Sequence, residues 1–323
     1  MTLLYPKSRE AWLQLRMKHV SSTESAALFG MSPYLTAFEL ATIKKAETPP
    51  AEYEQNERMT WGLRLQRVIA EAIAEDYGVK VRAMNGYATS EGMGASFDFE
   101  VVGVVEGEFS GKETLRGLYK QHGTGVLEIK NVDGLVFKND WHEVDGQLEA
   151  PAHIEIQVQH QLECVERAWA AIGVLVGGNK QVMLYRMRDK DVGDVIRSRV
   201  RVFQADLAKG IMPPIELPAD AQIIKRIYGF AEPGKVLDAQ GDAEIAALCK
   251  EYSEAQQAEK VAKEAKDSAV AKLLMKIGDA EKVIATGYTV SAGVVGETLI
   301  EAYTRKAYRN CRIYVKKPKQ EKE

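Results

Sequence analysis

The sequence predicts an α/β protein followed by a helical extension, and three observations carry that prediction. Amphipathic helical segments alternate with short apolar runs along the first part of the chain. The proline-rich stretch "IMPPIELP" (residues 211–218) then interrupts the alternation. Beyond it the texture turns Ala-, Glu- and Lys-rich, with apolar residues at loose helical spacing. We therefore expect two domains, residues 1–214 and 215–323.

Taken in order, "SREAWLQLRMKHVSSTESAALFG" reads as helix, short loop and second helix, with Ser8 as N-cap and Gly30 as the stop. "WGLRLQRVIAEAIAEDYG" is an amphipathic helix. Leu65, Ile69, Ala72 and Ile73 form its apolar face, Arg67, Glu71 and Glu75 its solvated face, and Gly78 its end. Two strands follow, "VKVRAM" and "GASFDFEVVGVV". The polar, Gly-rich stretch 106–123 reads as an inserted hairpin or loop, and "GVLEIKNV" as a third strand. A long helix is expected through "HIEIQVQHQLECVERAWAAIG", with Ile154, Val158, Leu162, Val165, Trp169 and Ile172 as its stripe. "KQVMLYRMR" is a strand and "DVGDVIRSRVRVFQADLAKG" a helix. In the extension, residues 242–277 form one long helix or a helical hairpin. "KVIATGYTVSAG" and "NCRIYVKK" alternate as a small sheet would.

Bulk properties exclude several classes. A formal net charge of −3 announces no general polyanion binder, so any positive surface must be gathered locally. Three widely spaced cysteines without a CxxC pair argue against a zinc site or a disulfide framework, and suit a reducing cytoplasm. No run has the length and apolarity of a membrane span, and the N-terminus lacks a signal-peptide core.

The chemistry sits in two of the strands. Alternation puts Val126, Glu128 and Lys130 on one face of "GVLEIKNV" and Leu127 and Ile129 on the other. In "GASFDFEVVG" the same rule groups Ser96, Asp98 and Glu100. If these strands pair, Asp98 and Glu128 converge on one divalent cation. Mg²⁺ accepts two carboxylates and keeps waters, and it polarises phosphoryl oxygens. Lys130 would orient the nucleophile or stabilise phosphoryl charge. The alternative is a solvated sheet face with a cross-strand ion pair.

Five blocks, "WLQLRMKHVSSTESAALFGMSPY", "WGLRLQ", "GASFDFEVVG", "VLEIKNV" and "IQVQHQLECVE", stand in this order across residues 8–214. Together they resemble the phage lambda exonuclease or YqaJ-like viral recombinase family of the restriction-endonuclease-like PD-(D/E)xK nucleases. The resemblance implies a central mixed sheet flanked by helices. It also implies a Mg²⁺ site, open to Mn²⁺ as well, formed by Asp98, Glu128 and the backbone carbonyl of Ile129. Lys130 is then the catalytic lysine and Gln157 the glutamine beside it. It further implies a 5′-phosphate pocket of Arg16, Thr23 and Ser96, with Lys138 the nearest basic residue to the position of a further arginine. The family's helix block usually reads Gly-x-x-x-Glu. Here it reads Gly62-Leu63-Arg64-Leu65-Gln66, so a neutral amide stands where an acid would help hold metal; the Gln66 carbonyl can still ligate the ion or a water bound to it, but brings no charge.

The function this resemblance implies is Mg²⁺-dependent 5′→3′ digestion of one strand of double-stranded DNA from its end. The product is a 3′ overhang for phage recombination, made by a ring-shaped homotrimer working with a phage single-strand annealing protein in the bacterial cytoplasm. Two rivals stand beside it: a catalytically weak DNA-end-binding module that loads the annealing protein, and an endonuclease on the same fold. Among other residues, Arg197, Arg199 and Arg201 read as a partly solvated helix face, and Lys316, Lys317 and Lys319 as a frayed tail. His160 reads as structural or solvent-facing, and Trp12 and Trp169 as core. Trp61 and residues 31–33 read as packing rather than as a wedge for the terminal base pair.

Overall fold

The computed structural model describes residues 1–46, 48, 57–107, 109, 112–144 and 146–296. Two compact units divide after Gln222, at Met1–Gln222 and Ile223–Glu323.

The first unit opens with β1 (Thr2–Leu4), α1 (Arg9–Lys18), β2 (Val20–Ser21), a 3-10 turn at Ser25–Phe29, α2 (Ala37–Lys45) and α3 (Glu57–Tyr77). β3 (Val79–Ala83), β4 (Tyr87–Ser90), β5 (Met93–Ser96), β6 (Phe99–Val104), α4 (Glu113–His122) and β7 (Gly125–Val132) follow. After α5 (Gly134–Asp140) and the hairpin of β8 (His142–Val144) and β9 (Gln147–Glu149) come α6 (Ala152–Val165), β10 (Trp169–Val176), β11 (Lys180–Met187) and α7 (Lys190–Ala208). Ser8 caps α1 as expected, its side chain accepting the Ala11 N–H.

The central sheet has the order β11-β10-β7-β6-β3 and is mixed: β10 runs parallel to β7, and all other pairs are antiparallel. A second sheet orders β1-β4-β5-β2. The alternation expected for β7 holds. Val126 joins a core cluster with Ile154, Val158 and Leu162 of α6. Leu127 and Ile129 join another with Ile69 and Ile73 of α3 and Leu115 of α4. At Gly173 of β10 an added Cβ would lie 2.3 Å from Ile73 Cδ1, so the missing side chain lets α3 close on the sheet.

Several expectations are corrected. The segment "GASFDFEVVGVV" is two strands in two sheets, β5 and β6, broken at Phe97 and Asp98. The long helix ends at Val165, where Glu166 takes a left-handed conformation with φ 54°, and Trp169 and Ile172 lie on a central strand. Val165, Trp169 and Ile172 keep helical spacing across the Glu166-Arg167 junction, so periodicity does not mark the change. The stretch 106–123 contains α4, because Leu115, Leu118 and Tyr119 reach one core cluster at helical spacing. The second opening helix is only a 3-10 turn, and α2 was not foreseen. On α3, Ala70 is buried and Ala72 is exposed.

The short α8 (Ala221–Ile227) spans the division, and in the second unit α9 (Ala243–Ile277) is one helix rather than a hairpin. Asp242 caps it, accepting the N–H groups of Glu244 and Ile245. None of its residues is buried. β12 (Lys282–Ala285) and β13 (Tyr288–Ser291) pair as an antiparallel hairpin. "NCRIYVKK" and the tail lysines Lys316, Lys317 and Lys319 lie outside the described residues. Among the described residues, no helix is long and apolar enough to cross a membrane.

Candidate active site

The site lies where the chain passes from one sheet to the other. β6 pairs with β7 through Phe99↔Leu127, and one rung further that register brings Asp98 level with Glu128. Asp98 Oδ2 accepts the Ile129 N–H at 2.9 Å, and its Oδ1 accepts from Gln66 Nε2 at 3.0 Å. Glu128 is 4% exposed. Its Oε1 accepts from Lys130 Nζ at 2.8 Å and from Gln157 Nε2 at 2.7 Å, and its Oε2 accepts from Gln161 Nε2 at 2.8 Å. Gln157 Oε1 accepts a second hydrogen bond from Lys130 at 3.1 Å. The predicted group of Asp98, Glu128, Lys130, Gln157 and Gln66 is therefore brought together. Glu100, grouped with Asp98 by alternation, faces away from this site and pairs with Arg82 and Arg167 at 2.8 and 3.0 Å.

Electrostatics set this cluster apart. Burial, and then the charge of Glu128, push the Asp98 carboxyl up to about 7, against the opposing effects of the Ile129 N–H and Lys130. Burial alone would lower the Lys130 ammonium, but Glu128 and Asp98 outweigh it and raise it. One buried and one half-buried carboxylate thus face one lysine and three amides. Their donor set is hard oxygen and their mutual repulsion favours a divalent cation, so the residues present fit Mg²⁺ or Mn²⁺. Among the described residues, no group of three or more His, Cys, Asp and Glu side chains forms a fuller metal cage.

The three residues expected to hold a 5′-phosphate also lie in one neighbourhood. Arg16 on α1 donates to Ser21 Oγ at 3.1 Å, Thr23 Oγ1 at 3.4 Å and Glu24 Oε1 at 3.1 Å. Its guanidinium stacks 4.9 Å from the Trp12 ring centroid, and Trp12 Nε1 donates to Ser96 Oγ at 2.8 Å. Trp12 is half-buried and bridges Arg16 to Ser96 rather than filling a core. Lys44 completes the group, donating to Glu24 Oε2 at 2.7 Å and to the Arg16 carbonyl at 2.6 Å. Burial alone would raise the Glu24 carboxyl; Lys44, Arg16 and the Ser21 N–H together bring it down to about 2.

Sequence reasoning missed Gln161, Ser21, Glu24 and Lys44. Gln161 carried a usable signal, since it stands one helical turn beyond Gln157 on the same face. Glu24 and Lys44 carried none, being distant in sequence and joined only by the fold. Lys138 is exposed on α5. His160 is fully buried against the Gly94 carbonyl, and burial lowers its ring to about 4, which keeps it neutral. The arginine face of α7 is partly solvated as expected: Arg199 and Arg201 are exposed, and Arg197 is half-buried, pairing at 3.0 Å with Glu163, whose side chain is fully buried. Trp61 and Met31 are exposed rather than packed. Met31 and Pro33 line an open cleft of about 500 Å³ with Asp140 and His153.

A mixed sheet flanked by helices, with an acid at the passage from β5 to β6 and Glu-x-Lys on the adjoining β7, is the arrangement the motifs led us to expect. Residues 11–168 match the YqaJ-like viral recombinase domain, which bears out the resemblance read from the five blocks. The chain is 25% identical over 235 residues to "Uncharacterized protein YqaJ" of Bacillus subtilis (strain 168), covering 72% of this chain and 67% of that protein. Among solved structures it is similar to an alkaline exonuclease (LHK-Exo) from Laribacter hongkongensis, with TM-score 0.42 and 19% identity, covering 68% of this chain and 97% of that one. It is also similar to a phage related exonuclease from Haemophilus somnus 129PT, with TM-score 0.40 and 12% identity, covering 61% and 97%.

Proposed function

We propose that the protein is a divalent-metal-dependent deoxyribonuclease that digests one strand of double-stranded DNA from its 5′ end and leaves a 3′ overhang. The observation that carries this reading is the convergence of Asp98, Glu128 and Lys130 at the junction of β5, β6 and β7. The match to a viral recombinase domain supports a nuclease.

Asp98 and Glu128, with the Ile129 carbonyl, would hold Mg²⁺ or Mn²⁺. When bound, the ion supplies Lewis acidity to a phosphoryl oxygen and lowers the pKa of the attacking water. Lys130, kept cationic by its carboxylate neighbours, stabilises negative charge gathering on the phosphoryl group. Gln157 holds Lys130 and Glu128 at once and so fixes the lysine relative to the acid. Gln66 donates a hydrogen bond to Asp98 and contributes no charge. Arg16, Thr23 and Ser96 offer a guanidinium fork and two hydroxyls to a terminal 5′-phosphate. That arrangement explains end dependence: the phosphate is the handle that sets which bond reaches the cation.

The wider assembly belongs to the same proposal. A homotrimeric ring around the duplex would keep the enzyme on its substrate, and a single-strand annealing protein would receive the overhang in the cytoplasm of the phage's host. Neither needs a strong overall positive charge, and the chain carries none.

The test is nucleotide release from linear duplex with 5′-phosphate ends, in Mg²⁺ and in EDTA, beside closed circular DNA. Metal-dependent release from linear DNA alone is expected. Cleavage of circles would replace this reading with an endonuclease. Retention of 5′-phosphorylated ends without any release, in metal or in EDTA, would replace it with an end-binding module.

A further inference from the structure

Three glutamines, Gln157, Gln159 and Gln161, stand on α6 two residues apart, and their surroundings differ. Gln159 is satisfied at both ends by main chain, its Nε2 donating to the Met187 carbonyl and its Oε1 accepting from Asp189 N. It ties α6 to the end of β11 and does no more. Gln157 is satisfied at both ends by the site itself. Gln161 is fully buried, and its two ends are unequal. Nε2 donates twice, to Glu128 Oε2 at 2.8 Å and to the Ser96 carbonyl at 3.1 Å. Among the described residues, nothing donates to its Oε1.

The amide cannot turn round to relieve that oxygen. Both groups facing Nε2 are acceptors, a carboxylate and a carbonyl, so a flip would set Oε1 against two oxygens. The fold therefore keeps a buried acceptor unmatched in order to aim a donor at Glu128. An apolar side chain of the same size would remove that unmatched oxygen but would take the donor away from Glu128 Oε2, a buried carboxylate oxygen and the costlier group to leave unmatched.

We propose that Gln161 is a positioning residue. It fixes the rotation of the Glu128 carboxylate toward the cation and tethers it to the Ser96 peptide, whose side chain belongs to the phosphate pocket. This rests on the metal-dependent nuclease reading above. Lys130 and Gln157 hold one oxygen of Glu128, and Gln161 alone among the hydrogen-bond donors described holds the other. Without Gln161 the carboxylate can swing about its last torsion, which is broad for an sp³–sp² bond, and its bite on a cation loosens.

The test uses the full-length chain and Mn²⁺ as the probe, titrated by electron paramagnetic resonance without DNA. Gln161→Met keeps the volume and removes the donor. It is expected to weaken Mn²⁺ binding by about 10- to 100-fold, the usual cost of losing a group that orients a metal ligand. Gln161→Asn keeps an amide but draws it back by one methylene, and should show a smaller loss in the same direction. On linear duplex, kcat should fall at fixed Mg²⁺ more than KM for DNA ends rises, because Arg16 and Thr23 make no hydrogen bond with Gln161 and only the Ser96 main chain loses its tether. Wild-type Mn²⁺ affinity in both variants would overturn the proposal, and so would a wild-type protein that binds no Mn²⁺. If Gln161→Met does not fold, Gln161→Asn alone decides by the same readout. Failure of the nuclease reading is separately visible: the wild type would bind Mn²⁺ and release no nucleotide, and the Gln161 variants would still be judged on affinity.

Discussion

Glu24, buried, and Asp98, half-buried, are two carboxylates in the same unit with opposite electrostatics. Glu24 is bracketed by Arg16 and Lys44 and falls to about 2. Asp98 faces a second acid and rises to about 7. Burial disfavours the charge in both; at Asp98 the Glu128 charge adds to it, whereas at Glu24 the two cations overturn it. One cluster is already neutralised and carries a surplus positive charge, which suits a site that would receive a phosphate. The other is short of positive charge, which suits a site that would receive a cation. The contrast assigns the two halves of the proposed reaction, holding the end and cutting the bond, to two electrostatically distinct places.

Breaking the neutralised half should cost most. Glu24→Gln strands the buried Lys44 ammonium, whose side chain is 6% exposed, and should lower stability by about 3–5 kcal/mol in urea denaturation. The same pair gives an acid limb. The folded Glu24 pKa lies below its ordinary 4.5, so its contribution is complete above pH 4.5 and is lost as pH falls toward about 2. An unfolding midpoint that stays flat from pH 5 to pH 3 would sink that assignment.

Breaking the cation-seeking half should cost rate rather than stability. Lys130→Ala is expected to reduce nucleotide release from linear duplex by about 10²–10³-fold, as removal of a single charge-stabilising group does elsewhere. A loss below tenfold would remove the lysine from the chemistry.

A third experiment sharpens the comparison through its sign. The folded Asp98 pKa lies above its ordinary 3.8, so its favourable contribution is present below that value and fades as pH rises through about 7. In EDTA the melting temperature should decline between about pH 4 and pH 7. Asp98→Asn should flatten this limb, and Mg²⁺ should restore the wild-type protein near neutrality. A wild-type profile identical to that of Asp98→Asn would refute the electrostatic account. The smallest effect is expected at Gln66. Gln66→Glu adds a third acid beside Asp98 and should lower the Mg²⁺ concentration for half-maximal release by a few-fold, visible only at limiting metal.

The legibility of the molecule followed how local each signal was. The faces of β7, the cap of α1, the course of α3 and α7 and the spacing of Glu128 and Lys130 are properties of neighbours in sequence, and they read correctly. β10 did not, because Trp169 and Ile172 continue the helical spacing of the α6 stripe, and only pairing with β7 and β11 makes "WAAIGVLV" a strand. α4 hid in a polar stretch whose few apolar residues gain meaning from the core they reach.

What the sequence determined by itself is therefore the chemistry available: an acid, a Glu-x-Lys strand, a glutamine helix, an arginine and two hydroxyls, in an order that matches a viral recombinase domain. The tertiary structure alone decided which of these meet, and in what electrostatic surroundings. It placed Asp98 at a break between two sheets, set Gln161 against Glu128, sent Glu100 to Arg82 and Arg167, and brought Lys44 to Glu24. The physical reason is distance. Residue type and spacing fix a side chain's face on its own strand or helix. Charge, burial and hydrogen bonding act through space, between residues the chain alone does not bring together.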